Sequence, residues 1–464
     1  MLLVKWLSVI ILFILSSTLL AETAPPTPEK FISFSDIHFN PFSRCNTMSF
    51  TACPLIVKLR QAPASEWQSI FEKYDSHDIV GFMHDTNYAL LKSSLAQINA
   101  VYVKEHPRFA LILGDFLAHN FRAQYVLYAH DKSHANYQSF VKKTFQFMAL
   151  MFRQAIPQGD IYPVLGNNDS YTGDYDVVPR GVFLHDLAQA WTPLVSNPEN
   201  QNNLRDNFPV DGFYAVTVPG NTKQKLLLLD TVLFSTAVRG HSVKPAATAE
   251  LNWLREQLQS AAAAHQSVML AFHIPDGVNV YMTLLNLFHG VNEFWQSDYS
   301  KTFNELLHQY AGTIKAILPG HIHMDSFQVV GTQHNSEVPV SFTPSISPIF
   351  GNNPGFKVYS YDKNTLQLVN YDVYYYPLNE TPIDRVWRKE YNFNQVYHDN
   401  CPVCALINGM KKLTPAGNLA SYFKKYYAVS TDAQPIVKAH YWLPYYWCNI
   451  FDVGIDAYKA CIKQ

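Results

Sequence analysis

Apolar residues recur with two different periods along this chain of 464 residues, and the two periods predict different elements. Compact apolar runs, which are typical of buried strands, occupy 31–35, 109–113, 161–165, 212–218, 225–230, 267–272 and 313–318. Apolar positions with helical spacing occupy 87–103, 133–154, 246–263 and 299–310. Helices that alternate with short apolar strands predict an α/β domain built in layers.

The pattern changes after Gly331. Residues 339–343, 356–361 and 366–376 alternate in polarity and are rich in aromatic and β-branched side chains, which predicts antiparallel strands of a second sheet. The segments 41–86, 168–210 and 276–298 have no clear period and are expected to be irregular. Helical patterning returns after residue 379, so we expect a small helical C-terminal region over 380–464.

The N-terminus has the pattern of a secretory signal peptide. An apolar run from Trp6 to Leu20 follows Lys5, and the small residue Ala21 precedes a polar stretch. An uncleaved anchor is the alternative, but this run is shorter than the ~20 residues that span a bilayer. We therefore expect a signal peptide over 1–21, no stable membrane span after its cleavage, and a secreted, periplasmic or lumenal protein.

The six cysteines suit an oxidising compartment and fall into local pairs. The disulfide candidates are Cys45 with Cys53, Cys401 with Cys404, and Cys448 with Cys461. Six cysteines allow ~15 connectivities, so local pairing is the first of several possibilities. The C-x-x-C segment could also be half of a zinc knuckle or a redox pair, but the chain has no second C-x-x-C, which favours a structural disulfide.

Composition excludes one class of partner. Hydrophobic residues make up 48% of the chain, charged residues 16%, and the formal net charge is -2. A protein that binds nucleic acid backbones needs a concentrated basic face, and the sequence has no basic run. We therefore expect no nucleic-acid backbone binding, while the oligomeric state stays open.

Residues of the types that bind metals follow the predicted strands, at the edge where an α/β sheet binds its ligands. These candidate metal ligands are Asp36, His38, Asp115, Asn167, His273, His321 and His323. In an extended segment residues i and i+2 point the same way, so each Asp-x-His or His-x-His pair can direct two ligands to one site. Each motif alone is also common as a turn or a core histidine, but all five in this order favour a metal site.

Imidazole and carboxylate ligands suit zinc, manganese or iron better than calcium or magnesium. Two such ions need a carboxylate that bridges them, and Asp115, which follows a glycine, is the candidate. The predicted cofactors are therefore two divalent metal ions, with zinc first and manganese or iron as alternatives. Such a pair of ions can bind phosphoryl oxygens and activate a water molecule.

In order along the chain, these motifs resemble the D-x-H, G-D, G-N-H-[DE], His and G-H-x-H pattern of the calcineurin-like metallophosphoesterases. Within that family the chain is most similar to the acid sphingomyelinase-like phosphodiesterases. This closer similarity rests on Gly-Asp-Phe-Leu-Ala-His at 114–119, on His273-Ile-Pro, and on Asn-Pro-Gly at 353–355. Cys448 and Cys461 resemble the closing disulfide of that group.

The resemblance implies a four-layer αββα metallophosphoesterase sandwich over 30–379, followed by the helical C-terminal region. It implies that one metal is held by Asp36, His38, Asp115 and His323. It implies that the other metal is held by Asp115, Asn167, His273 and His321. It also implies that His119 protonates the leaving oxygen.

Two departures from the family pattern affect the expected chemistry. Asn168 stands where the family has a catalytic histidine, and an amide can donate a hydrogen bond but cannot transfer a proton. This leaves His119 as the candidate general acid. No saposin-like, cysteine-rich region precedes Phe31, which favours soluble phosphodiesters over membrane sphingomyelin.

The sequence therefore predicts a secreted two-metal phosphodiesterase that hydrolyses small soluble phosphodiesters, either nucleotides or phosphocholine-type compounds, by attack of a metal hydroxide on phosphorus. A phosphomonoesterase or endopolyphosphatase on the same site is the first alternative, and a catalytically weak secreted binding or effector protein is the second. Aromatic residues in the segments expected to be irregular could stack on a base or cover a choline group, or only pack against the scaffold; they are Tyr171, Tyr175, Phe288, Phe294 and Trp295.

Overall fold

Two six-stranded β-sheets form the centre of the computed structural model, which describes residues 28–45, 51–75, 78–286, 290–331, 337–397, 405–430, 442–451 and 454–463. The strands are β1 Glu29–Phe34, β2 Phe109–Ile112, β3 Asp160–Pro163, β4 Tyr214–Val218, β5 Asn221–Leu228, β6 Ser267–Phe272, β7 Ile314–Pro319, β8 Ser326–Val330, β9 Val338–Phe342, β10 Gly355–Tyr361, β11 Leu368–Tyr375 and β12 Arg388–Asn392.

The α-helices of the described residues surround these sheets. They are α1 Pro54–Gln61, α2 Trp67–Tyr74, α3 Tyr88–Glu105, α4 Phe121–Ala129, α5 His134–Ala155, α6 Val182–Trp191, α7 Pro198–Asp211, α8 Val243–Ala263, α9 Val280–Leu285, α10 Ser297–Gln309, α11 Phe393–Tyr397, α12 Leu406–Met410, α13 Pro415–Tyr426, α14 Leu443–Phe451 and α15 Ile455–Cys461.

The strand orders place the parallel strands at one end of the first sheet and in the middle of the second. The first sheet has the order β12-β11-β10-β1-β2-β3, and the second has the order β4-β5-β6-β7-β9-β8. Strands β1, β2 and β3 pair in parallel, as do β5, β6 and β7. The carboxyl ends of parallel strands meet at one edge of a sheet, which is where such sheets bind their ligands.

Alternate residues of the second sheet belong to different hydrophobic clusters, as the period of a strand requires. Leu226 and Met269 pack in the large cluster that also contains the first sheet. Leu227 and Leu270 pack in a second cluster with residues of α8 and α10. The two sheets therefore pack between outer helices, and the predicted four-layer αββα sandwich is confirmed.

Our assignment of the strands after residue 331 to one separate sheet was wrong. Strands β10, β11 and β12 extend the first sheet beside β1, whereas β9 pairs with β7 in the second sheet. Alternating polarity shows that a strand has two unlike faces, but it does not show which sheet the strand joins. Strand β12 also lies inside the region expected to be helical; it is a short, charged edge strand, so hydrophobic period does not reveal it. Helices do make up most of the described C-terminal region, and the boundary at 379 stays a prediction.

The three segments expected to be irregular contain helices, and that expectation was wrong. Helices α1 and α2 lie within 41–86, α6 lies within 168–210, α7 begins there and ends at Asp211, and α9 lies within 276–298. Several of these helices are only two turns long, and such helices depend on tertiary packing more than on their own sequence pattern. In α2, for example, the fully buried Trp67 packs against Phe71 and Phe140.

Two of the predicted disulfides are confirmed. Cys45 is bonded to Cys53 just before α1, and Cys448 of α14 is bonded to Cys461 of α15. Cys401 and Cys404 lie outside the described residues, as does the predicted signal peptide over 1–21. In the part of the chain that the structure describes, none of the helices combines the length and hydropathy needed to cross a membrane.

Candidate metal centre

Five loops bring the seven predicted ligands to one edge of the two sheets. Asp36 and His38 follow β1, Asp115 follows β2, Asn167 follows β3, His273 follows β6, and His321 and His323 follow β7. Asp36, His38 and His273 are fully buried, Asp115, Asn167 and His323 are buried, and His321 is partly exposed. The strand ends therefore gather all seven side chains, as the position of each motif after a strand predicts.

The backbone of these loops is not extended, so our reason for pairing residues i and i+2 was wrong. Asp36 and His38 have φ angles of 48° and 45°, and His321 and His323 have φ angles of 70° and 63°. Non-glycine residues seldom adopt this left-handed region, and each one costs ~1–3 kcal/mol. Tight turns, stabilised by the surrounding structure, therefore direct the side chains.

The glycines before the ligands have two different functions. Gly114 has a φ of +85°, which lets the chain turn sharply before Asp115. Gly166 matters for space instead, because a Cβ atom there would lie 2.1 Å from the backbone nitrogen of Asp115. The loops after β2 and β3 thus pack backbone against backbone.

Four donor atoms converge in a first cluster. His38 Nε2 lies 3.2 Å from His323 Nε2, 3.4 Å from Asp115 Oδ2 and 3.9 Å from Asp36 Oδ1. Asp36 Oδ1 also lies 3.4 Å from His323 Nε2. Ligand atoms at ~2.1 Å from a tetrahedral ion are ~3.4 Å from one another, so Asp36 Oδ1, His38 Nε2 and His323 Nε2 have the spacing of ligands of one ion, with Asp115 Oδ2 beside His38.

A second cluster shares an atom with the first. Asp115 Oδ2 lies 3.3 Å from His273 Nε2, which is 3.0 Å from Asn167 Oδ1 and 3.2 Å from His321 Nδ1. Asp115 Oδ2 therefore belongs to both clusters, which is the position that a bridging carboxylate requires. The set of carboxylates, imidazoles and one carboxamide oxygen fits zinc, manganese or iron better than calcium or magnesium.

One buried oxygen supports the fit of an ion. Asp36 Oδ1 is fully buried and has no hydrogen-bond partner among the described residues, while Asp36 Oδ2 accepts hydrogen bonds from Ser35 Oγ at 2.5 Å and from the His321 backbone at 3.0 Å. A buried carboxylate oxygen ordinarily has a donor or a cation beside it. The free oxygen points to the cluster that contains His38 and His323, so a cation there would satisfy it.

Backbone carbonyls fix the histidine tautomers. His38 Nδ1 donates to the carbonyl of Leu117 at 3.0 Å, and His273 Nδ1 donates to the carbonyl of Leu113 at 2.6 Å. In each ring the Nε2 atom is then the one that faces the cluster. Burial lowers the pKa of His38 to about 4 and that of His321 to about 3, so both rings are neutral near pH 7, as metal binding requires.

Two acidic residues hold the loop after β3. Asp174 Oδ1 accepts a hydrogen bond from Asn167 Nδ2 at 2.8 Å, which leaves Asn167 Oδ1 facing His273. Asp169 accepts from the backbone nitrogens of Phe116 and Gly166 at 2.9 Å each, so it joins the loops after β2 and β3. Asp169 is the acidic residue that ends the G-N-H-[DE] motif, whereas Asp174 had no motif to identify it.

His119 forms a pair with a second acid that the sequence reasoning missed. Its Nδ1 atom donates to Asp85 Oδ1 at 2.9 Å, and its backbone nitrogen donates to Asp85 Oδ2 at 2.9 Å. The ring stacks on His38 with 4.1 Å between centroids, and 32% of the side chain is exposed. Burial lowers the pKa of His119, but the hydrogen bond and charge of Asp85 outweigh burial and raise it. Asp85 lay in a segment expected to be irregular, so nothing pointed to it.

The family comparison agrees with this arrangement. The family model for calcineurin-like phosphoesterases matches residues 30–325. The chain belongs to the calcineurin-like phosphoesterase family. Members of this family use a dinuclear metal centre, for which the two donor clusters are the candidate ligands, and the chain is a hydrolase that acts on phosphoric esters.

Curated relatives agree with the predicted resemblance to the acid sphingomyelinase-like group, at low identity. Acid sphingomyelinase-like phosphodiesterase 3b of Homo sapiens is 23% identical over 456 residues, which cover 94% of this chain and 90% of the relative. Sphingomyelinase phosphodiesterase C of Dictyostelium discoideum is 24% identical over 355 residues, 73% of each chain. Cyclic GMP-AMP phosphodiesterase SMPDL3A of Homo sapiens is 23% identical over 334 residues, 68% of this chain and 70% of the relative. A solved dimetal phosphatase from Danio rerio matches 75% of this chain and 96% of its own with a TM-score of 0.41 and 11% identity.

Asn168, which replaces the histidine of the calcineurin-like pattern, contacts the bridging carboxylate. Its backbone nitrogen donates to Asp115 Oδ1 at 2.8 Å, and its Nδ2 atom donates to Asp115 Oδ2 at 2.9 Å. Both hydrogen bonds orient Asp115, and an amide has no proton to transfer. In this member of the family, Asn168 therefore has the geometry of a positioning residue.

The aromatic residues considered as substrate contacts divide into two groups. Tyr175 and Phe294 lie beside His321, with ring centroids at 6.4 Å and 5.5 Å from it, and both line the cavity at the metal centre. Tyr171 instead packs against Phe183 and donates to Asp186, and the fully buried Trp295 donates to a backbone carbonyl. Phe288 lies outside the described residues. Packing is thus the function of Tyr171 and Trp295, while Tyr175 and Phe294 line the cavity beside the candidate metal ligands.

Proposed function

We propose that this protein is a secreted two-metal phosphodiesterase of small soluble phosphodiesters, either nucleotides or phosphocholine-type compounds. The observation that carries the proposal is the shared position of Asp115 Oδ2 between two donor clusters, with His119 facing the same cavity. The relatives named above are called phosphodiesterases, which favours a diester over a monoester.

The two ions, when bound, would polarise the phosphoryl oxygens and activate a water molecule for attack on phosphorus. Side chains of the protein position the proton donor and the bridging carboxylate. Asp85 holds Nδ1 of His119, so Nε2 is free to donate a proton to the departing oxygen. Asn168 keeps both carboxylate oxygens of Asp115 oriented. Phe350, whose ring is 4.6 Å from that of His323, covers one side of the centre.

Zinc is the metal that we propose for both sites. Four imidazoles and two carboxylates make a donor set that zinc accepts readily, and the distances within the first cluster fit a tetrahedral ion. Manganese and iron accept the same donors and are the alternatives. Metal analysis of the protein purified without chelator distinguishes them.

Secretion is part of the proposal because two observations agree with it. The N-terminal apolar run has the pattern of a signal peptide, and the disulfides Cys45–Cys53 and Cys448–Cys461 need an oxidising compartment to persist. The expected result is a processed protein outside the cytoplasm that begins near Glu22. N-terminal sequencing of the protein from the culture medium or lumenal fraction tests this, and an intact Met1 in a cytoplasmic fraction contradicts it.

The reaction is tested with bis-p-nitrophenyl phosphate against p-nitrophenyl phosphate on the metal-loaded protein. We expect kcat/KM to be higher for the diester, and Asp115→Asn to abolish turnover of both, because the bridging anion is lost. The matched control is Asp206→Asn, which changes an exposed carboxylate outside the metal cavity and should leave both activities unchanged.

Each other outcome identifies one of the alternatives. Higher kcat/KM on the monoester would make the protein a phosphomonoesterase, and efficient cleavage of long polyphosphate would make it an endopolyphosphatase. Two bound metals without turnover of any ester would make it a binding or effector protein. Near-normal activity of Asp115→Asn would show that the two-metal assignment is wrong.

A further inference from the structure

The cavity at the metal centre continues away from the metal ligands into the C-terminal region. Its volume is about 370 Å³, within the ~300–1,000 Å³ of ordinary ligand pockets. One end is lined by Asp115, His119, His321 and His323. The other end, which we call the tyrosine arm, is lined by Tyr422, Tyr426, Tyr427, Tyr446 and Asn449, together with Val280 and Met282 of α9.

The tyrosine arm is hydrogen-bonded to the segment that follows His323. Ser326 Oγ and Tyr422 Oη form a hydrogen bond of 2.7 Å, and the backbone nitrogen of Asp325 donates to the carbonyl of Tyr426 at 3.0 Å. The rings of Tyr426 and Tyr446 lie 5.1 Å apart. Helices α13 and α14 therefore hold their tyrosines in a fixed position relative to a metal-binding histidine.

A polar atom in the arm lacks a partner. Asn449 Oδ1 is buried and has no hydrogen-bond partner among the described residues, while Asn449 lines the cavity. A buried amide oxygen is a strong acceptor that costs free energy when it is left unpaired. A ligand that brings an N–H group to this position would satisfy it.

The charges of the cavity limit the number of phosphates. Of the described residues that line it, none is a lysine or an arginine, and the acidic residues Asp115 and Asp174 are both present. Chains of phosphates are ordinarily bound by cationic side chains or backbone N–H groups. Beyond the metal ions and His119, therefore, the described lining offers no lysine or arginine for a second or third phosphate.

We propose that the tyrosine arm receives the ester group that the substrate retains, and that this group is an uncharged aromatic ring with an N–H donor on its edge. The substrate then has a single phosphorus. The tyrosine rings supply the flat apolar walls, Asn449 Oδ1 accepts the N–H, and the metal centre holds the phosphate. This inference rests on the proposed phosphodiesterase activity and adds Asn449 and the C-terminal tyrosines as specificity-determining residues.

The test compares three diesters with the same leaving group. They are the p-nitrophenyl esters of thymidine 5′-phosphate, of N3-methylthymidine 5′-phosphate and of methyl phosphate. We expect kcat/KM to be highest for the thymidine ester and about fivefold lower after N3-methylation, because one neutral hydrogen bond is lost. N3-methylation should raise KM and leave kcat nearly unchanged, because the tyrosine arm binds the ester group that does not react.

Variants connect this preference to Asn449. Asn449→Leu keeps the approximate volume and should lower kcat/KM for the thymidine ester about fivefold, with little effect on the N3-methyl ester, because the two changes remove the same hydrogen bond. Asn252→Leu is the matched control; it makes the same change on the outer helix α8, away from the cavity, and should leave all three substrates unchanged.

The outcomes separate this inference from the proposed function. Equal kcat/KM for the thymidine and N3-methylthymidine esters on the wild-type protein would overturn the inference while the diesterase stands, as would turnover of thymidine 5′-triphosphate that exceeds that of the thymidine ester. Hydrolysis of p-nitrophenyl phosphate with none of the three diesters would instead refute the phosphodiesterase itself.

Discussion

The pair formed by Asp85 and His119 gives the sharpest test of the proposed chemistry, because His119 is the proposed proton donor and Asp85 is its hydrogen-bond partner. In Asp85→Asn the side chain keeps its size, but its amide group can no longer accept both hydrogen bonds that the carboxylate accepts at 2.9 Å from the Nδ1 and backbone nitrogen atoms of His119. The imidazole loses the anion that fixes its tautomer and stabilises its protonated form.

The magnitude follows from the hydrogen bond to a buried charge. Asp85 has a side chain that is 6% exposed, so solvent screens the contact little. A hydrogen bond to a charged group contributes ~1.5–3 kcal/mol, and ~1.36 kcal/mol corresponds to a factor of ten in rate. Asp85→Asn should therefore lower kcat by ~10- to 150-fold on a substrate whose leaving group needs a proton.

The assay measures kcat over a series of methyl aryl phosphates, from p-nitrophenyl to phenyl. Nitrophenolate departs without a proton, so its ester should be nearly unaffected, whereas the phenyl ester should show the full loss. His119→Ala should steepen the dependence on the leaving group in the same way, and the double variant should be no slower than His119→Ala alone. Asp186→Asn, which removes a hydrogen-bonded carboxylate outside the cavity, is the control.

Two results would refute this reasoning. If Asp85→Asn slowed every ester by the same factor, His119 would contribute to binding or structure rather than to proton transfer. If the losses of the two single variants multiplied in the double variant, the residues would act independently. Thermal unfolding of each variant shows whether the fold is retained, so that a loss of folded protein is not mistaken for a loss of chemistry.

Three further predictions concern metal affinity and the stability of the fold. Asn168→Ala removes the 2.9 Å hydrogen bond to Asp115 Oδ2, so metal affinity in a competitive titration should fall ~10- to 100-fold; an unchanged affinity would contradict the positioning role. Gly166→Ala should destabilise the fold by ~1–3 kcal/mol or more in urea unfolding, whereas Gly81→Ala, with no atom within 4 Å of the new Cβ, should be nearly neutral. Burial raises the pKa of Asp230 to about 7 in the folded protein, so folding binds a proton between pH ~4 and ~7. The free energy of unfolding of the wild-type protein, relative to that of Asp230→Asn, should therefore be highest below pH ~4 and decline as the pH rises to ~7. Parallel pH profiles of the two proteins would contradict this.

The ends of the buried strands were predictable because their residues are apolar on both faces. Strand β6 spans Ser267–Phe272, the same range as its apolar run, and His273 follows it directly. Each ligand could be placed at the sheet edge in this way, without knowledge of the contacts. A continuous apolar run followed by a glycine or a candidate ligand involves only neighbouring residues, so it can be recognised from the sequence alone.

The residues that the sequence did not reveal depend on contacts over long distances along the chain. Asp85 meets His119 across 34 residues, and Asp325 of the loop after β7 accepts a hydrogen bond at 2.5 Å from Tyr391 across 66 residues. An isolated acid in a segment without a period has no pattern that separates it from a surface residue. The placement of β12 failed for the same reason, since only its partner β11 shows where it belongs.

The left-handed turns explain how a motif of two histidines contributes to both donor clusters. His321 and His323 are two residues apart, yet His321 Nδ1 lies 3.2 Å from His273 Nε2, whereas His323 Nε2 lies 3.2 Å from His38 Nε2. An extended segment would send both side chains in one direction, to one ion. Positive φ angles at both residues turn the chain between them, at ~1–3 kcal/mol each. The backbone hydrogen bonds from Ser345 to the carbonyl of His323 and from Gly320 to that of His273 hold these turns from the neighbouring loops. The Gly-His-x-His motif is thus a strained turn that the neighbouring loops support, and it distributes its histidines over both donor clusters.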